Sequence, residues 1–266
     1  MNTRTLCLAL LALALAAAGC QSKPTHYVQV QVRLEAAGVD PAAMPAMRAQ
    51  TIQILDKRFR DAGMEGVLLL EDPAAADGLR ACFPGKSLPD GMPGSLLNQT
   101  KLELCLVHPT ATQPDTAEAI LAQFNGALPE GYRLVPYLGG SEEALSGPAQ
   151  LLVATDAVIT DADIQDAHPD NSQGKPAVNF TLVEAGAERF GRATAANIGR
   201  QLAILLDGQA LSAPIIQSKI TDSGIITGLE KQSEAEDIAL CLRSHSLPCK
   251  VAILSQKVIT RESLAQ

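Results

Sequence analysis

The 266-residue sequence has no Trp, three Tyr and five Phe, so aromatics make up only 3% of it. Charged residues are 19%, and acidic ones outnumber basic ones, 29 Asp+Glu to 21 Lys+Arg, for a net charge of -8. A nucleic-acid partner calls for a basic face and stacking aromatics, so that class is excluded. Beyond the N-terminal stretch no apolar run approaches the ~20 residues of a spanning helix. No G-x-S-x-G elbow, H-E-x-x-H helix, Walker loop or G-x-G-x-x-G turn occurs, which leaves nucleophilic, zinc, nucleotide and dinucleotide chemistry without a candidate. The four histidines (His26, His108, His168, His245) lack ligand spacing, and no C-x-x-C pair exists for zinc. We therefore expect no cofactor, no metal and no catalysis. The 47% apolar content and mean hydropathy of +0.11 still allow a substantial core.

Asp156, Asp161, Asp163, Asp166 and Asp170 form the densest acidic stretch. An EF-hand loop opening at Asp161 fails, because Asp166 stands where glycine is needed and Ser172 where glutamate is needed. The stretch reads as a solvated loop running into a helix start.

Part of the apolar excess lies at the start, where Arg4 precedes an uncharged run from Leu6 to Ala18. That run is too short to span and reads as a signal peptide, residues 1–19. It closes on Ala17-Ala18-Gly19-Cys20, which resembles the lipobox of bacterial lipoproteins. The resemblance implies cleavage before Cys20 and acyl chains, palmitate among them, on that cysteine. An ordinary cut after Ala16 or Ala18 would use the same small residues. Gln21 rather than Asp after the cysteine implies, by the same resemblance, transfer to the outer membrane, with the body in the periplasm.

Of the six cysteines, Cys7 leaves with the signal and Cys20 takes lipid, so Cys82, Cys105, Cys241 and Cys249 remain, in a compartment that permits disulfides. Four cysteines allow three pairings. Cys82–Cys105 and Cys241–Cys249 are favoured because each closes a short loop within one half of the chain, with staples worth roughly 3.4 and 2.6 kcal/mol.

Alternation of Val28, Val30, Val32 and Leu34 with Gln29, Gln31 and Arg33 predicts a strand over 27–34 with one wet face. Ile52, Leu55, Phe59 and Ala62 predict a helix over 47–62 that stops at Gly63. Strands follow at 67–70, 79–83 and 102–107, a helix at 115–125, and a strand at 132–137. Gly139-Gly140-Ser141 and Gly147-Pro148 punctuate a linker. The second half reads as strands at 151–158 and 177–183, a helix at 185–199, and a strand at 201–206 that turns at Asp207-Gly208 into another. Ser233 to Glu236 reads as a capping box opening a helix whose core face is Ala235, Ile238, Ala239 and Leu242. A strand over 251–259 closes the chain. The expected fold is α+β with two subdomains, each a mixed or antiparallel sheet with helices packed on one face. Residues 20–26 form the anchor and linker, 27–147 one subdomain and 148–260 the other, with the last strand able to return to the first.

"NFTLVEAGAERFGRATAANIGRQLAILLDGQALSAPIIQSKI", "SGIITG" and "SEAEDIALCLRSHSLP" resemble, in order and spacing, the head of the first periplasmic domain of SecD, the accessory subunit of the protein-export translocon. The matching positions include Gly186, Phe190, Thr194, Asn197, Gly199, Asp207, Gly208, Gly228 and Pro248. "LDKRFRDAG", "CFPG" and "KLELCLV" resemble the base of that domain more loosely. Most of these residues read as turns and core rather than as a binding surface. In SecD the domain is flanked by spanning helices whose charged residues serve proton-coupled work, and a lipid anchor in their place implies a protein that is not itself a proton-driven motor. His245 stands where the family has glycine before Leu-Pro, and a Cys241–Cys249 bridge would span and hold that turn. The resemblance implies a non-catalytic envelope lipoprotein that binds unfolded secretory polypeptide. The alternative is an adaptor or assembly lipoprotein recognising one folded envelope partner.

Overall fold

The computed structural model describes residues 24–35, 38–88, 94–111, 115–138, 149–171 and 174–265. The signal peptide, Cys20 and the linker around 139–148 lie outside them. Strand β1 (His26–Glu35) leads through a 3-10 turn (Pro41–Ala43) into helix α1 (Met44–Asp61), then β2 (Leu68–Glu71), β3 (Gly78–Pro84), a 3-10 turn (Gly94–Leu97) and β4 (Leu102–Leu106). Helix α2 (Ala117–Gln123) precedes β5 (Tyr132–Pro136), β6 (Gln150–Ala154), β7 (Ile159–Thr160), a 3-10 turn (Asp161–Asp163), β8 (Ile164–Asp170) and β9 (Ala177–Leu182). Helix α3 (Glu184–Ala196), β10 (Leu202–Leu206), β11 (Gln209–Ser212), β12 (Ser223–Ile226), helix α4 (Gln232–Arg243) and β13 (Lys250–Thr260) follow.

The molecule is α+β. Its named strands pair antiparallel in four sheets, ordered β13-β1-β3-β2, β11-β10-β4-β7, β12-β9-β8 and β5-β6. In the first sheet Val28, Val30, Val32 and Leu34 face α1, where Ile54, Leu55 and Phe59 close the core. Phe59 stands edge-on to Phe83, with ring centroids 5.2 Å apart. A second core joins Phe180, Leu182, Phe190, Ile226, Ile238 and Leu242 to Leu102 and Leu104 of β4.

Strand β4, from the first half of the chain, lies between β10 and β7, so one sheet crosses the 147/148 division expected from the linker. Strand β13, from the second half, pairs with β1 along its whole length, from Lys250 opposite Glu35 to Thr260 opposite His26. The first exchange buries β4 at the centre of its sheet, whereas β13 forms an edge.

Two local expectations are corrected. Residues 156–170 form β7, a 3-10 turn and β8 rather than a solvated loop and helix start. Ile164 and Ala167 of β8 are buried in the core that α4 covers, and the Asp163 carboxylate is taken up by the Thr160 N–H and the Arg189 guanidinium. The capping box at Ser233 is not formed. The cap lies two residues earlier, at Lys231, and the Glu234 carboxylate accepts the N–H of Glu230 at 3.2 Å. The Asp207-Gly208 turn is as expected, with φ of +50° and +82°, the double left-handed geometry of a tight hairpin.

Arg58 of α1 joins the two halves. Its side chain is fully buried, with Nη1 donating to Leu96 O (2.9 Å) and Asn98 O (2.6 Å), Nη2 to His245 O (2.9 Å) and Nε to Ser244 Oγ (3.2 Å). His245 has φ +69°, the left-handed conformation that glycine adopts more readily. Its carbonyl is held by Arg58 and not by a disulfide.

Candidate functional site

The residues that carry the family resemblance build the frame of the second half. Phe190 lies in its core, and Thr194 Oγ1 donates to Phe190 O (2.8 Å) while accepting the Ile220 N–H (2.9 Å). That second bond fastens the segment after β11 against α3. Gly186 sits on Asp163, where a Cβ would come within 2.9 Å of the aspartate Cβ. Burial alone would raise the pKa of Asp163, but the bonds from Arg189 and Thr160 hold it below the ordinary carboxylate value. Asn197 closes α3, its amide donating to Ala193 O (2.8 Å) and its Oδ1 accepting from Arg200 (2.5 Å). Gly228 has φ +92°, and a Cβ there would meet Leu211 O at 2.9 Å. These residues position a surface without forming it.

The surface they position is a groove of about 610 Å³ between α3 and residues 219–222. Ala187, Gly191 and Ala195, four residues apart on one helix face, make its floor. A Cβ at Gly191 would lie 3.1 Å from Lys219 Cε, so the glycine sets how closely the lysine stem approaches. Glu188 and Arg192 from the helix, with Lys219 and Asp222 opposite, line the rim with both signs of charge. A smaller recess of about 340 Å³ lies on the outer face of β8, β9 and β12, where His168 Nε2 is 3.0 Å from Asp166 Oδ2.

Cys82, Cys105, Cys241 and Cys249 are buried, and neither expected bridge is formed in the structure. Cys82 lies on β3 in the first sheet, whereas Cys105 lies on β4 in another, in a cluster with Val107 and Val135. Cys241, on α4, feels the positive field of Arg58, while Cys249 packs beside Leu247 in the core under α1. Burial pushes all four thiols above their ordinary pKa, so little thiolate forms at neutral pH. The native protein should therefore resist alkylation at all four positions and label at all four once unfolded, with no reductant added. A pair that stays unlabelled until reduced would show a bridge.

Among the described residues no group of three or more His, Cys, Asp or Glu side chains could hold a metal ion. His108 stacks edge-on against Phe124 and Tyr132 at 5.0 and 4.5 Å, and its Nδ1 accepts the N–H groups of Thr110 and Ala111. Burial, with Arg200 nearby, lowers its pKa, so it serves as a neutral acceptor that shapes a turn. The residue sequence reasoning missed is Arg58, whose backbone carbonyl partners leave no residue-type signal.

Comparison with known proteins places the groove in a matched region. Residues 140–249 match the model of the SecDF P1 head subdomain. Protein translocase subunit SecD of Aquifex aeolicus is 46% identical over 114 residues, covering 42% of this chain and 23% of that protein. The SecD of Elusimicrobium minutum is 31% identical over 235 residues, covering 82% of this chain and 48% of that protein. The chain thus spans between about a quarter and a half of these relatives. A solved structure of SecDF, described as a membrane component that enhances protein export, superposes with a TM-score of 0.62 at 25% identity, over 87% of this chain and all of the solved one.

Proposed function

The chain carries a first periplasmic domain of the SecD kind, and from that premise we propose that it binds unfolded or extended polypeptide in the cell envelope. It does so without catalysing a reaction, anchored through lipid on Cys20 at the periplasmic face of the outer membrane, and it assists protein export. The observation that carries this reading is the groove along α3. Its floor of Ala187, Gly191 and Ala195 carries no large side chain, and its rim of Glu188, Arg192, Lys219 and Asp222 carries both signs of charge. A site that makes few specific contacts and must order a flexible client binds weakly.

The test is a titration of the body from residue 21 onward into a permanently unfolded, fluorescently labelled secretory polypeptide, with the folded form as control. The unfolded form should bind, and the folded form should not. Ala195 is exposed on the groove floor, so Ala195→Trp fills the groove without touching the core and should weaken binding about tenfold, about 1.4 kcal/mol. Equal affinity for both forms, or none for either at high micromolar concentration, rejects the reading.

A further inference from the structure

We propose that the outer edge of β13, unpaired among the described residues, receives an extended polypeptide strand in which apolar residues alternate with acidic ones. Strand β13 is the outermost of its sheet and, at eleven residues, the longest strand among those described. Its register shows what each side of an incoming strand would meet. Val258 is opposite Val28 and Ile253 opposite Val32, so both lie on the face that α1 covers over β1. The helix does not reach the edge, and Ile253 and Val258 remain 58% and 54% exposed, with Leu254 at the bulge 47% exposed. Lys257, opposite Gln29, and Lys250, opposite Glu35, lie on the other face.

Residues 250–261 read KVAILSQKVITR, three cations and no acid in a chain of net charge -8. Edge strands are commonly guarded by lysine and proline. Here proline is absent, and two lysines on one face repel a basic strand while attracting an acidic one. Exposed apolar side chains on the other face select the alternation: apolar toward Ile253 and Val258, acidic toward Lys250 and Lys257. A second copy of β13 does not fit, because two such edges would set lysines and arginines of both copies along one line. The inference concerns the first sheet and not the groove along α3, so it stands or falls separately from client binding there.

Three fluorescent nine-residue peptides test it with the body from residue 21 onward: alternating Val and Glu, alternating Val and Lys, and a block isomer of the first. The alternating Val/Glu peptide should bind at least tenfold more tightly than the other two by anisotropy, weaken as salt rises, and slow hydrogen exchange in β13. Lys250→Glu with Lys257→Glu should reverse the preference, and Ile253→Asp with Val258→Asp should abolish it. Ala195→Trp should leave it unchanged. Equal binding of the three peptides to the unmodified protein would overturn the proposal without recourse to any variant. So would a concentration-dependent dimer lost in Val258→Asp, which would assign the edge to a second copy.

Discussion

Replacing Arg58 with alanine should destabilise the protein by about 3–5 kcal/mol, the range for breaking a buried charged network on one side. The guanidinium is fully buried and donates to the carbonyls of Leu96, Asn98 and His245 and to the hydroxyl of Ser244. Burial lowers its pKa, partly offset by the fields of Cys241 and Asp207, so the cation is tolerated only because its donors are used. Without them, the buried Leu96 carbonyl loses its partner at a cost of about 1–3 kcal/mol, and the part-buried carbonyls of Asn98 and His245 lose theirs as well. The left-handed turn at His245 also loses the bond that holds it. Arg58→Lys keeps the charge but not the fork, so it should recover only part of the loss. His245→Gly relieves the left-handed strain and should stabilise the native protein by about 1 kcal/mol. Urea unfolding midpoints of the four proteins decide this. A loss under 1 kcal/mol in Arg58→Ala would mean that water replaces the guanidinium and that the strand exchanges of β4 and β13 suffice to join the halves.

What was legible in the sequence, and what was not, follows from the range of the forces involved. Strand β1 was legible because one wet face and one dry face write a period of two into its residues, and the structure extends it by a single residue at each end. The hairpin at Asp207-Gly208 was legible because left-handed geometry restricts which residues can stand there. Strand β8 was not, since Asp166, His168 and Pro169 disguise a strand whose burial depends on α4, more than sixty positions away. The partner of β4 was not legible either, because alternation states that a face is buried and not what buries it. The cysteines show the same limit: short loops made the expected pairs attractive, yet the sheets carry Cys82 and Cys105 into different layers. As for the site, the residues carrying the resemblance proved to be its supports. The groove floor of Ala187, Gly191 and Ala195 is chemically plain, and no residue type in it announces a function.

Cys20→Ala should move the protein almost completely from the membrane fraction to the soluble periplasm. The leader before Cys20 is short and apolar, and no helix among the described residues is long and apolar enough to cross a membrane. On the proposed anchor reading, two or three acyl chains on Cys20 supply the attachment, at about 0.8 kcal/mol for each buried methylene. The fold adds a geometric consequence. Strand β1 begins at His26, so residues 21–25 allow the first sheet to stand at most roughly 20 Å from the lipid. The sheet then runs from the His26–Thr260 pair at the anchored end to the Glu35–Lys250 pair, where the chain from α4 enters. Ten paired residues of strand span about 33 Å, so the chain passes between α4 and the first sheet at the end of β13 farther from His26. Accordingly, a client crosslinked from Ala195 should be captured equally whether the linker is native or shortened by three residues, whereas loss of Cys20 should reduce capture by lowering local concentration at the membrane. The fractionation needs a high-salt wash, because a protein partner at the β13 edge would retain the unlipidated form through charge. If Cys20→Ala remains bound after that wash, or if intact-mass analysis of the unmodified protein finds no acyl chains, the anchor reading fails and the signal is an ordinary one cut after Ala16 or Ala18.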